Sequence, residues 1–121
     1  MTVYLWIAVG GAIGSCARYA VTVGLRPLAP AFPWGTFTVN VLGCFLFGIV
    51  AGLAASKGLF GSTGRTFILI GVLGGFTTYS SFAFDTVELI RAGSPAAALG
   101  NVGGQLVLGT LAVWAGLVLT Q

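Results

Sequence analysis

Hydroxyls, amides and aromatic rings, rather than acids, imidazoles or metal-binding clusters, are the groups in this chain whose spacing can do chemistry. They concentrate in "LGGFTTYSSF", residues 73–82, which holds two glycines, two threonines, two serines and three aromatics between apolar flanks. Gly74 and Gly75 form a weak point for a helix. Thr77, Thr78, Ser80 and Ser81 can bond nearby backbone and compete with the helical ladder. A break frees carbonyls and amides, and in lipid that is tolerated only where the backbone is buried in protein or lines a wet cavity. Freed carbonyls are hard oxygen ligands that suit a small cation. A break here therefore points to an ion or substrate site; the alternative is a kink that serves packing alone. Tyr79 and Phe82 lie three apart, on one helix face. Ring edges carry partial positive charge, so edges turned into a cavity can favour an anion. The plainer reading is core or lipid contact.

Outside that segment the polar residues are few. Asn40, in "GTFTVNVLG", offers two amide donors, either to bond across helices or to meet a passing anion. Arg18 is the clearly intramembrane cation, a functional candidate by its position or a side chain that snorkels to the interface. Asp85 and Glu88 can pair with Arg18 or face a vestibule. The chain has no histidine, which removes Ser-His-Asp and Cys-His catalysis and most zinc sites. Cys16 and Cys44 sit in apolar runs and read as small packing residues rather than a disulfide framework. Nothing in the chain reads as an enzyme.

The elements that position these groups follow from composition. The chain is 121 residues, 57% apolar and only 6% charged, against roughly 25% charged in a soluble domain. Its solvent is lipid. The formal charge of +3 comes from scattered residues and makes no nucleic-acid footprint. Spanning helices need ~20 mostly apolar residues. Four such spans fit residues 3–25, 35–55, 66–90 and 96–119 in a single transmembrane domain over residues 1–121. The start "MTVYLW" lacks a basic region, so the first span reads as a retained helix rather than a signal peptide. "PLAPAFPWG" and "SKGLFGSTGR" read as loops, and Pro95 suits the first turn of the last helix.

Small-xxx-small pairs occur at Gly10/Gly14, Gly48/Gly52, Gly71/Gly75 and Gly100/Gly104. They let helices approach closely in lipid, which fits a tight bundle with oligomer-forming contacts. Lys57 and Arg65 fall on one side of the membrane, Arg26 and Arg91 on the other, with Arg18 near the latter end. Such balance gives a weak orientation preference. The chain can then insert both ways, and opposite copies can pair about a two-fold axis in the membrane plane.

"GGAIGSCARY", "GTFTVNVLG" and "GGFTTYSSF", in this order and spacing, resemble the Fluc (CrcB) fluoride channel family over essentially the whole chain. The resemblance implies an all-α membrane protein with a third helix broken mid-membrane, assembled as an antiparallel, dual-topology homodimer in a bacterial or archaeal plasma membrane. It implies passive, selective fluoride conduction that relieves fluoride toxicity. A structural Na⁺ at the dimer centre would be held by the main-chain carbonyls of Gly74 and Thr77. The ion pathway would include Asn40, the aromatic pair Tyr79 and Phe82, Ser81 with Thr36 along a polar rail, and Arg18 at a vestibule. Two departures stand out. Tyr79 replaces the usual phenylalanine, and "GNVGGQLVLG" in the fourth helix has Gln105 and several glycines where a more ordinary helix with a serine, histidine or tyrosine along the pore is expected. The second leaves room for a paired partner subunit in a heterodimeric channel. A small multidrug-type transporter shares four spans and dual topology, but it needs a carboxylate in the first helix, where this chain has Arg18 and no acid.

Overall fold

The computed structural model describes residues 1–28 and 31–121. Ala29 and Pro30, in the proline-rich stretch that the sequence reads as a loop, lie outside the described residues. Among the described residues the chain is all-helical, with four helical spans long and apolar enough to cross a membrane. The first is α1 (Thr2–Leu25), followed by a 3₁₀ turn at Arg26–Leu28. The second is α2 (Trp34–Lys57), which stops at Gly58, a left-handed residue with φ 62°. Glycine takes that conformation without a Cβ clash and so closes the helix. The last is α6 (Pro95–Val118), with proline in its first turn as the sequence predicts.

The third span is compound. It runs through α3 (Gly61–Arg65), a π-helical stretch (Thr66–Leu73), α4 (Gly74–Phe76) and α5 (Tyr79–Arg91). "GSTGR" is thus helical rather than part of a loop. Between α4 and α5 the backbone is extended at Thr77 (φ −79°, ψ 157°) and Thr78 (φ −152°, ψ 116°). The interruption therefore falls past Gly74 and Gly75, which are both helical. Glycine at position 75 serves a different purpose: a Cβ there would lie 2.6 Å from the Gly11 carbonyl oxygen.

The break is where the span changes partner. Its first half packs on α1, while α5 packs on α6; α2 packs most extensively on α6. Glycines make these approaches possible. A Cβ at Gly14 would collide with the Val72 carbonyl, and one at Gly48 with the Val113 carbonyl. The Gly10/Gly14, Gly48/Gly52 and Gly71/Gly75 pairs are thus used within the chain. Gly100 instead faces open space, and a Cβ at Gly104 would lie 2.7 Å from the Phe37 ring.

Among the described residues the largest fully buried side chains are Val39 and Asn101, joined by a small apolar set that includes Leu73, Phe76 and Leu89. Large apolar side chains such as Leu106, Leu111 and Trp114 point outward. In water that arrangement would be costly, but against lipid tails it is neutral and tight backbone packing holds the bundle.

Candidate functional site

The site grows from the two extended residues. In a continuous helix the Thr78 N–H would close on the Gly74 carbonyl and the Ser81 N–H on the Thr77 carbonyl. Neither does. Thr78 N donates to Asn40 Oδ1 at 2.8 Å, and Ser81 N donates to Thr78 Oγ1 at 3.3 Å. Thr78 is therefore the N-cap of α5, a role its hydroxyl suits. The Gly74 and Thr77 carbonyls are released from these helix bonds. They are the two oxygens named above as cation ligands, and their chemistry, neutral hard oxygen, fits a small cation. Thr77 itself points its hydroxyl back to the Leu73 carbonyl, 2.9 Å away.

Asn40 comes from α2 and clasps the break at both ends. Its Oδ1 accepts from Thr78 N, and its Nδ2 donates to the Thr78 carbonyl at 3.0 Å. The second Nδ2 hydrogen goes to Gln105 Oε1 on α6, at 2.7 Å. A relay continues from there. Gln105 Nε2 donates to Asn101 Oδ1 at 2.8 Å, Asn101 Nδ2 to Thr86 Oγ1 at 2.9 Å, and Thr86 Oγ1 to the Phe82 carbonyl at 2.8 Å. Hydrogen bonds thus run from the break, across α2 and α6, and back into α5. Asn101 is fully buried and satisfied by this path, as buried amides must be. Asn101 and Thr86 are absent from the sequence-based site. Asn101 lies four residues before Gln105 in α6, one turn away, and that spacing of two amides was the available signal.

Two cavities flank the break. One, of about 360 Å³, is lined by Asn40, Cys44, Gly74, Thr77, Tyr79, Phe82 and Gln105, among others. The rings of Tyr79 and Phe82 meet at 5.6 Å with their planes tilted by 50°. Tyr79 is 80% exposed, so this ring pair stands on an open face of the single chain. The other cavity, of about 390 Å³, is lined by Arg18, Thr36, Ser81, Ser15 and Thr22. Thr78 lines both cavities and forms the wall between them. The eight residues singled out in the sequence thus fall in two groups: Asn40, Gly74, Thr77, Tyr79 and Phe82 on one side, and Arg18, Thr36 and Ser81 on the other.

The acids do not pair with Arg18. Glu88 bonds Arg91 at 3.1 Å in an exposed contact, the kind that contributes little to stability. Asp85 lines a third, smaller cavity with Arg26, Thr22 and Thr36, and its buried Oδ2 has no hydrogen-bond partner. Both cysteines are free thiols.

Comparison with known proteins adds the chemistry. The family described as CrcB-like protein, Camphor Resistance (CrcB), matches residues 5–117. The fluoride-specific ion channel FluC of Opitutus terrae is 52% identical over 120 residues, covering 96% of this chain and 90% of that protein. The protein of the same name from Paracoccus denitrificans is 49% identical over 94% of this chain and 90% of its own length. That from Nitrobacter winogradskyi is 43% identical over 99% of this chain and 96% of its own.

Proposed function

We propose that this chain, which belongs to the CrcB-like family, is a fluoride-specific ion channel, a multi-pass membrane protein and not an enzyme. The observation that carries the mechanism is the clasp of Asn40 on Thr78. It places amide donors, hydroxyls and ring edges around a backbone break that has a cavity on either side.

Fluoride is small and strongly hydrated, so a pathway must replace its water with donors while staying too narrow for larger anions. Arg18, with Thr36 and Ser81, draws the anion into one cavity through its positive charge and hydroxyl donors. Asn40 and the edges of Tyr79 and Phe82 meet it on the other side of Thr78. The ring edges favour the anion without a full charge, which keeps binding weak enough for release. Conduction is passive and its direction follows the electrochemical gradient; in a cell it relieves fluoride toxicity.

The assembly we propose is an antiparallel, dual-topology homodimer in a bacterial or archaeal plasma membrane. Two features support it. Positive charges are balanced across the membrane, and an open face carrying Ile70, Gly74 and Tyr79 offers a surface for a second copy. A Na⁺ ion between the copies would be held by the Gly74 and Thr77 carbonyls of each, which have lost their helix bonds. It would offset the exposed carbonyl dipoles where the two breaks meet.

The test is fluoride efflux from liposomes loaded with potassium fluoride, read by a fluoride electrode after valinomycin is added, beside a chloride run. Fast fluoride efflux that needs valinomycin, without chloride efflux, is the expected result. No efflux from folded protein would reject conduction by this chain alone and point to a paired subunit.

A further inference from the structure

Asn40 has no free donor. Its amide nitrogen carries two hydrogens; one goes to the Thr78 carbonyl and the other to Gln105 Oε1. The amide orientations are settled by the network, as amide assignments must be. Thr78 N–H can only donate, so it faces Asn40 Oδ1. Nδ2 then faces Gln105, whose oxygen must turn toward it. Gln105 Nε2 is left for Asn101, and Asn101 Nδ2 for the Thr86 hydroxyl. A single backbone N–H thereby sets the direction of every bond in the relay.

The two bonds from Asn40 Nδ2 differ in how they open. The bond to Thr78 is half of a two-point clasp on backbone. The bond to Gln105 is one contact with the end of a flexible side chain on another helix, and both residues line the same cavity. The bond to Gln105 is therefore the easier of the two to open.

We propose that Gln105 is a positioning residue that holds Asn40 by standing in the anion's place: its carbonyl oxygen occupies the donor that fluoride takes while passing. This deepens the channel reading above and rests on it. When the pathway is empty, Gln105 keeps a buried amide satisfied. When fluoride arrives, one acceptor replaces another. The competition lowers apparent affinity, because only the fraction of molecules with Gln105 withdrawn is competent to bind. Weakened binding favours release, which conduction requires.

The chain has two asparagines, Asn40 and Asn101, and two glutamines, Gln105 and Gln121. Nitrogen-15 spectra of the side-chain amides therefore resolve the relay against one outside reference, Gln121. The full-length protein in lipid nanodiscs is titrated with potassium fluoride in place of potassium chloride at constant ionic strength. Asn40 and Gln105 are expected to shift together, with Asn101 following and Gln121 still. In Gln105→Leu, and in the near-isosteric Gln105→Met, the Asn40 midpoint is expected at about fivefold lower fluoride, since no internal acceptor has to leave. An Asn40 response without a Gln105 response overturns the proposal, as does an unchanged or raised midpoint in the folded variants. Should neither variant fold, the wild-type titration decides. Liposome efflux on the same protein separates the two readings. Amide shifts without efflux reject the channel and keep the competitor; efflux without amide shifts rejects the competitor and keeps the channel.

Discussion

Asn40 binds both polar atoms of the Thr78 backbone, accepting from its N–H at 2.8 Å and donating to its carbonyl at 3.0 Å, across 38 residues of sequence. The side-chain amide replaces the helical neighbours that Thr78 has lost. The break in the third span is therefore closed from outside, by α2.

Asn40→Leu should cost both fold and function. It leaves the Thr78 N–H and carbonyl bare, at about 1–3 kcal/mol for each buried group. Thermal unfolding in detergent should show a lower midpoint. In whatever protein folds, fluoride efflux should drop by more than roughly tenfold, equivalent to at least about 1.4 kcal/mol on the barrier. Wild-type efflux in a folded Leu variant would remove Asn40 from the pathway.

The two rings should separate by their polar handle. The Tyr79 hydroxyl makes no hydrogen bond within the described residues, so Tyr79→Phe should conduct within about threefold of wild type, a change of less than about 1 kcal/mol. Phe82→Ile keeps apolar bulk but removes the ring edge, and its efflux should collapse with the fold intact. Equal loss in both variants would mean that the Tyr79 hydroxyl is needed as well as the Phe82 ring.

Replacing Na⁺ with a large organic cation should damage the channel slowly rather than alter its driving force. The Gly74 and Thr77 carbonyls would be left facing each other across the proposed dimer with no charge between them. Prolonged dialysis against Na⁺-free buffer should lower both efflux and thermal stability, and restoring Na⁺ should recover them in protein that stays folded. Efflux and stability unchanged after exhaustive removal would exclude the cation site.

Two glycines should respond in opposite ways. Gly14→Ala drives a methyl into the Val72 carbonyl, where the three nearest atoms are all backbone, and overpacking of that kind costs about 1–3 kcal/mol. Gly100→Ala meets nothing within 4 Å and removes a helix-weakening glycine, a gain of about 0.5–1 kcal/mol. Unfolding midpoints should move down for the first and up for the second. A drop at position 100 would show that this face is covered in the assembled protein.

Composition and local pattern were sufficient for the membrane class, the helical spans and the polar segment of the third span. Hydropathy is summed over neighbours in the chain, and weak helix formers are visible where they stand. The exact place of the break was not visible. Gly74 and Gly75 permit a break, but the ladder opens at Thr77 and Thr78 because Asn40 supplies the competing bonds there. Gln105 reads in isolation as a departure from pattern, and Asn101 as an ordinary helical amide. Only the packing of α2, α5 and α6 brings these amides with Thr86 into one directed relay. The glycine pairs likewise announce close approach without naming a partner, and three of the four are spent inside the chain. Local propensity depends on residues a few positions apart; a hydrogen-bond partner depends on which distant backbone the fold brings within 3 Å.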